Sequence, residues 1–206
     1  MANVQEGPLT RKYELKRRAE NVEDTRRRIV EAAVELHGTV GPARTTVSAI
    51  AERAGVQRQT YYRHFPDERE LFVACSGLWA QRHALPDPSG LRAIPDGPSR
   101  LRAALTGLYS FYEEGEGMLA NVFRDAAVHE LTAETARMRS AGLVALRAVL
   151  AEVVVPAGGS PRVEALLDLA LDFTTWQALT RRSGLTRDEA VELVVDLVGC
   201  VGSSTT

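Results

Sequence analysis

The chain has 206 residues, 45% hydrophobic and 25% charged, with a formal net charge of −2. That composition supplies a buried core and excludes a disordered or uniformly basic protein. Residues 1–75 carry 13 basic against 11 acidic side chains, a net +2, and the remainder is net −4, so any surface for a polyanion must be local.

The opening "MANVQEGPLTRKYELKRR" has no apolar stretch of signal-peptide length, and no run approaches the ~18–20 apolar residues of a membrane span. A cytoplasmic location with no membrane partner is expected. Residues 1–22 read as a flexible basic arm. Over 10–28 it holds eight basic residues, interleaved with Glu14, Glu20, Glu23 and Asp24. Such an arm either follows DNA phosphates or the minor groove, or is a fraying helical tail whose acids blunt its field.

Helical spacing then predicts a first helix over Glu23–Gly38, with Ile29, Ala33, Leu36 and Val40 at that spacing, stopped by Gly41-Pro42. Thr45 or Thr46 caps a second helix that ends at Gly55. A third runs over Gln57–His64 and a fourth over Glu68–Leu85, with Asp67 as its cap. Residues 86–98, "PDPSGLRAIPDGP", read as a loop. Beyond it helices are expected over Ser99–Glu114, Met118–Glu130, Thr132–Val155, Pro161–Ser183 and Thr186–Val201. Glu113, Glu114 and Glu116, beside Gly115 and Gly117, read as a solvated helix end. Strand and hairpin signals are nearly absent. The fold expected is all-α, with about nine helices: a three-helix unit with a helix-turn-helix over 23–67, then a helical bundle over 68–206.

The stretch "TTVSAIAERAGVQRQTYYRHF" (45–65) joins two short helices through Ala54-Gly55-Val56, with small residues where the helices approach. Its second helix is rich in polar side chains, and an α-helix of that kind fits the major groove of B-form DNA. Arg58 suits a guanine edge and Gln59 an adenine edge, while Thr60 or the Tyr61 ring suits a thymine methyl. Tyr62, Arg63 and His64, with Thr46 and Ser48 at the preceding helix start, suit phosphate oxygens. Inward packing of both tyrosines on a solvated helix remains an alternative.

Residues 26–72, through "IVEAAVELHGTVG", "TTVSAIAERAGV" and "TYYRHF" followed by "ELF", resemble the DNA-binding domain of the tetracycline-repressor (TetR) family. The resemblance implies a homodimer on a near-palindromic double-stranded operator. It also implies a C-terminal helical domain that binds a small effector and thereby releases DNA. Four positions depart from the family's usual pattern. His37 stands where a phenylalanine is usual and Pro42 where an aromatic is usual. Gln59 replaces a small residue, and Glu68 replaces a phosphate-contacting lysine, with Arg69 beside it.

Segments 161–183 and 186–201 are apolar around most of their circumference, which requires cover on both sides. Packing against their copies in a second subunit, as a four-helix interface over about 161–201, satisfies them. Trp79, Tyr109, Tyr112, Phe123, Met138, Phe173, Trp176 and Gln177 are the candidate lining of an effector site, each equally at home in an ordinary core. The effector expected is largely apolar or aromatic. Asp125 and His129, at i and i+4, find no third ligand, so no metal and no cofactor are assigned. With neither a nucleophile elbow nor a phosphate-binding glycine loop, no enzymatic activity is expected.

Overall fold

In the computed structural model, which describes residues 8–155, 157 and 159–203, every regular element among the described residues is helical. These elements are ten α-helices, a 3-10 turn over Pro42–Arg44 and a π-helical turn over Ala178–Arg182. The chain forms two compact units, Met1–Gln81 and Arg82–Thr206.

The first unit contains α1 (Pro8–Thr39), α2 (Val47–Arg53), α3 (Arg58–His64) and α4 (Glu68–Arg82). Its core joins Ile29 and Ala33 of α1, Ile50 and Ala51 of α2, Tyr61 of α3, Phe65, and Leu71 and Cys75 of α4. Helix α4, expected to open the bundle, therefore shares the core of α1–α3. The expected start of the first helix at Glu23 is corrected. Helix α1 begins at Pro8, and the arm is helical from there; residues 1–7 lie outside the described residues. The acids that interrupt the basic run sit at helical spacing. Lys16 pairs with Glu20, while Arg27 and Arg28 both pair with Asp24. Alternating signs at i, i+3 and i, i+4 favour helix over arm.

The second unit contains α5 (Pro88–Arg92), α6 (Gly97–Asp125), α7 (Glu130–Val154), α8 (Pro161–Ala170), α9 (Phe173–Gln177) and α10 (Arg187–Ser203). Helix α6 packs against both α7 and α10. Three local expectations change here. Within the 86–98 loop, Asp87 accepts the N–H groups of Ser89 and Gly90 and starts α5. The helices expected to separate near Gly115 are one helix, α6. Gly115 is buried within it, and Glu116 pairs with Arg181 at 2.9 Å instead of marking a solvated end. The helix expected over Pro161–Ser183 breaks at Asp172, whose carboxylate accepts the N–H groups of Thr174 and Thr175 and opens α9. An Asx cap competes locally with helix continuation, and here it wins.

Buried Arg100 ties this unit together. Its guanidinium donates to the carbonyls of Ile94, Arg92 and Val149, and Glu152 lies 3.5 Å away. A buried cation needs such full satisfaction. Nearby, α6 passes so close to α7 that a Cβ on Gly97 would lie 2.8 Å from the Val153 carbonyl oxygen.

Candidate nucleic-acid interface

Helix α2 is capped at its start by Thr46, whose side-chain oxygen accepts the Ala49 N–H at 3.2 Å. Its C-cap is Ala54, and Gly55 turns the chain at φ +65°, a left-handed backbone that suits glycine. The Val56 N–H donates to the Ala51 carbonyl at 2.9 Å, closing the turn before α3 starts. Two arginines of α1 hold this unit from behind. Arg28 donates to the Ala54 carbonyl and Arg26 to the His64 carbonyl, each at 2.9 Å. Both thereby satisfy carbonyls left open at helix ends. The Arg26 guanidinium also lies 4.1 Å from the centre of the Phe65 ring.

On α3, Arg58, Gln59, Tyr62 and Arg63 are exposed and share one face, while Thr60 and His64 at its edges are half-buried. Tyr61 points the other way. Only 2% of it is exposed, its ring packs edge-on to Tyr62, and burial, reinforced by the charge of Glu68, pushes its phenol up to about 12. The assignment of Tyr61 to a base contact is therefore corrected: the i, i+4 spacing places it with Phe65 toward the core, and Phe65 is likewise buried. Tyr62, 46% exposed, is the tyrosine of the outer face. His64 is held below the usual histidine range, mainly by burial and then by the positive charges of Arg26 and Arg63. Thr46 and Ser48 are exposed at the start of α2. Arg44, exposed two residues before Thr46, is a further cation of this surface that helical spacing does not flag, because it sits on the 3-10 turn between α1 and α2. At the start of α4, Glu68 and Arg69 are both exposed. The Arg69 N–H donates to the Asp67 carboxylate at 3.0 Å. Taken together, this surface offers guanidinium, amide, phenol and hydroxyl donors, a set able to meet both base edges and phosphates.

The residues expected around an effector separate into three groups. Tyr109, Tyr112, Phe173 and Trp176 form a packed aromatic cluster, with the Tyr112 ring 5.3 Å from Phe173 and 5.8 Å from Trp176. The Tyr109 and Tyr112 hydroxyls donate to the carbonyls of Ala170 and Leu171. Phe123 touches the cluster's edge at Phe173, and Gln177 bonds to Glu116. Met138, 62% exposed, stands on the surface of α7, and Trp79 is buried on α4 in the first unit. A hollow of about 310 Å³ lies elsewhere in the second unit, lined by Leu101, Val153, Val195 and Val198 among others, and by none of those eight residues. Asp125 is buried against Arg124, while His129 caps α7 through the Thr132 N–H.

Residues 29–75 match the family described as bacterial regulatory proteins, tetR family. Over that segment the chain carries the amino-terminal TetR-family domain. The transcriptional regulator TtgR of Pseudomonas putida is 43% identical over 60 residues, 29% of each chain. The transcriptional activator FasR of Mycolicibacterium smegmatis is 31% identical over 112 residues, 52% of this chain and 49% of that one. The alignments thus span between under a third and about half of the curated relatives' length. Across the TetR fold, NalD of Pseudomonas aeruginosa, the secondary repressor of the MexAB-OprM multidrug efflux pump, superposes with a TM-score of 0.63 at 23% identity, covering 88% of this chain and 97% of that one. FadR of Bacillus subtilis in complex with stearoyl-CoA superposes with a TM-score of 0.57 at 17% identity, covering 83% and 96%.

Proposed function

We propose that this TetR-family chain is a ligand-responsive transcriptional repressor that binds a near-palindromic operator as a homodimer. The observation that carries the reading is the outer face of α3, where Arg58, Gln59, Tyr62 and Arg63 stand exposed over a core anchored by Tyr61 and Phe65. Arg58 and Gln59 read base edges. The half-buried Thr60 meets a thymine methyl, and Tyr62 and Arg63, with Thr46, Ser48 and the half-buried His64, fix the register on phosphates. Arg44 and Arg69 add cationic contacts beside them.

Dimerisation places α8 and α10 against their copies. Along α10 the outer face keeps Leu193 and Leu197 exposed, and α8 keeps Leu169 exposed, while opposite faces of both helices are buried within the unit. Large aliphatics left uncovered on a surface helix mark a protein partner. Two recognition helices about one turn of B-DNA apart, ~34–36 Å, then reach successive major grooves. The effector is a small, largely apolar molecule. The valine-lined hollow of the second unit supports that class, and FadR, a neighbour in fold, is complexed with stearoyl-CoA. An effector that prefers another arrangement of the dimer shifts the population away from the spacing DNA requires.

Electrophoretic or fluorescence titration against duplexes selected by the chain itself tests the reading. Binding that falls steeply with salt and is weakened in Arg58→Ala is expected. A chain indifferent to every duplex overturns the proposal. Activation is the second reading, favoured by the 112-residue match to FasR, and a transcription assay on the selected duplex separates the two.

A further inference from the structure

Behind the recognition helix lies a hollow of about 290 Å³ whose wall includes His37, Pro42, Tyr61, Tyr62, Phe72 and Glu68. Glu68, exposed at the start of α4, gives the hollow an acidic edge. Among the described residues, no lysine or arginine lines it.

We propose that this hollow is a small-molecule site for a compact organic cation, an amine carrying one aromatic ring, with the ring against the aromatic wall and the ammonium at Glu68. A cavity of ~150 Å³ takes a benzene-sized molecule, so 290 Å³ accommodates one ring and a short alkyl-amine chain. Aromatic faces attract a cation through their quadrupole, and a carboxylate completes the recognition. His37, buried with its Nδ1 3.7 Å from the Cys75 Sγ and its ring 5.2 Å from Phe72, closes the inner end. Tyr62 belongs both to this wall and to the exposed face of α3. If α3 binds DNA as proposed above, occupation of the hollow and of the operator are linked, and the linkage is reciprocal.

The test uses the full chain, 2-phenylethylamine and its neutral counterpart 2-phenylethanol, with binding read by chemical-shift titration in the absence of DNA. Saturable shifts confined to residues around 37–47 and 61–72 are expected for the amine. In Glu68→Gln, a surface change that leaves the core untouched, the amine should bind at least tenfold more weakly and the alcohol as before. Pro42→Phe, which fills the space, should abolish binding of both. No saturable binding to the parent chain, shifts centred elsewhere, or an unchanged Kd in Glu68→Gln overturns the proposal. A second titration adds a duplex selected by the chain. Operator affinity altered at least threefold by saturating amine supports the linkage. A chain that binds the amine but no duplex defeats the DNA reading and leaves the site standing.

Discussion

Each side chain of α3 takes its role from which side of the helix it occupies. Tyr61 and Tyr62 are adjacent and chemically identical, yet one is core and the other surface. Tyr61→Ala should therefore cost about 3–5 kcal/mol of stability, as truncation of a buried aromatic does, measurable by urea unfolding. Arg58→Ala should leave the unfolding midpoint unchanged and weaken duplex binding by roughly 1–3 kcal/mol. His64 adds a pH dependence. Its folded value is depressed below the ordinary 6.5, so the protonated ring is less welcome in the fold than in the unfolded chain. The stability it contributes is present above pH 6.5 and is lost as pH falls from there through the folded value. Unfolding of His64→Gln should consequently vary less between pH 7 and pH 5 than unfolding of the parent chain. That α3 has a polar face is legible in the sequence, because the seven residues from Arg58 to His64 all carry hydrogen-bonding side chains. Where that face ends is not. In a run of polar and amphipathic residues the assignment of Tyr61 depends on the position of Phe65 and on α1 behind it, which are tertiary facts.

Among the elements, boundaries set by local chemistry are legible and those set by packing are not. Thr186 and Glu189 form the reciprocal pair that their spacing suggests, the Thr186 N–H donating to the Glu189 carboxylate and the Glu189 N–H to the Thr186 hydroxyl. Gly115 and Gly117 read as a helix end, but neighbours on α9 and the π-turn supply partners for Glu116, so α6 runs on through the glycines. Two glycines make contrasting predictions. At Gly55 a Cβ would have ordinary clearance, its nearest neighbour being Arg28 at 3.6 Å, so Gly55→Ala should cost only the left-handed backbone, about 1–2 kcal/mol. At Gly97 the φ is not positive, yet a Cβ would meet the backbone of Val153 at 2.8 Å. Gly97→Ala should lower the thermal midpoint by forcing α6 off α7, and a midpoint equal to that of the parent chain would contradict the close approach.

At the scale of the whole molecule, the uncovered leucines of α8 and α10 bear on assembly. Leu193→Glu and Leu197→Glu combined should convert a dimer into monomers in sedimentation velocity without loss of helical signal, since neither side chain is buried within its own unit. The monomer should also lose the steep part of its duplex binding. Helix α1 has a different consequence. Its 32 residues outrun the core they serve: among the described residues Ile29 and Val30 are the first buried positions, and between Lys16 and Asp24 every side chain is exposed. Those early turns borrow their nucleus from the packed half of the helix and are otherwise held by surface ion pairs. Amide hydrogens there should exchange progressively faster toward the amino end, and more so as ionic strength rises, while those after Ile29 stay protected.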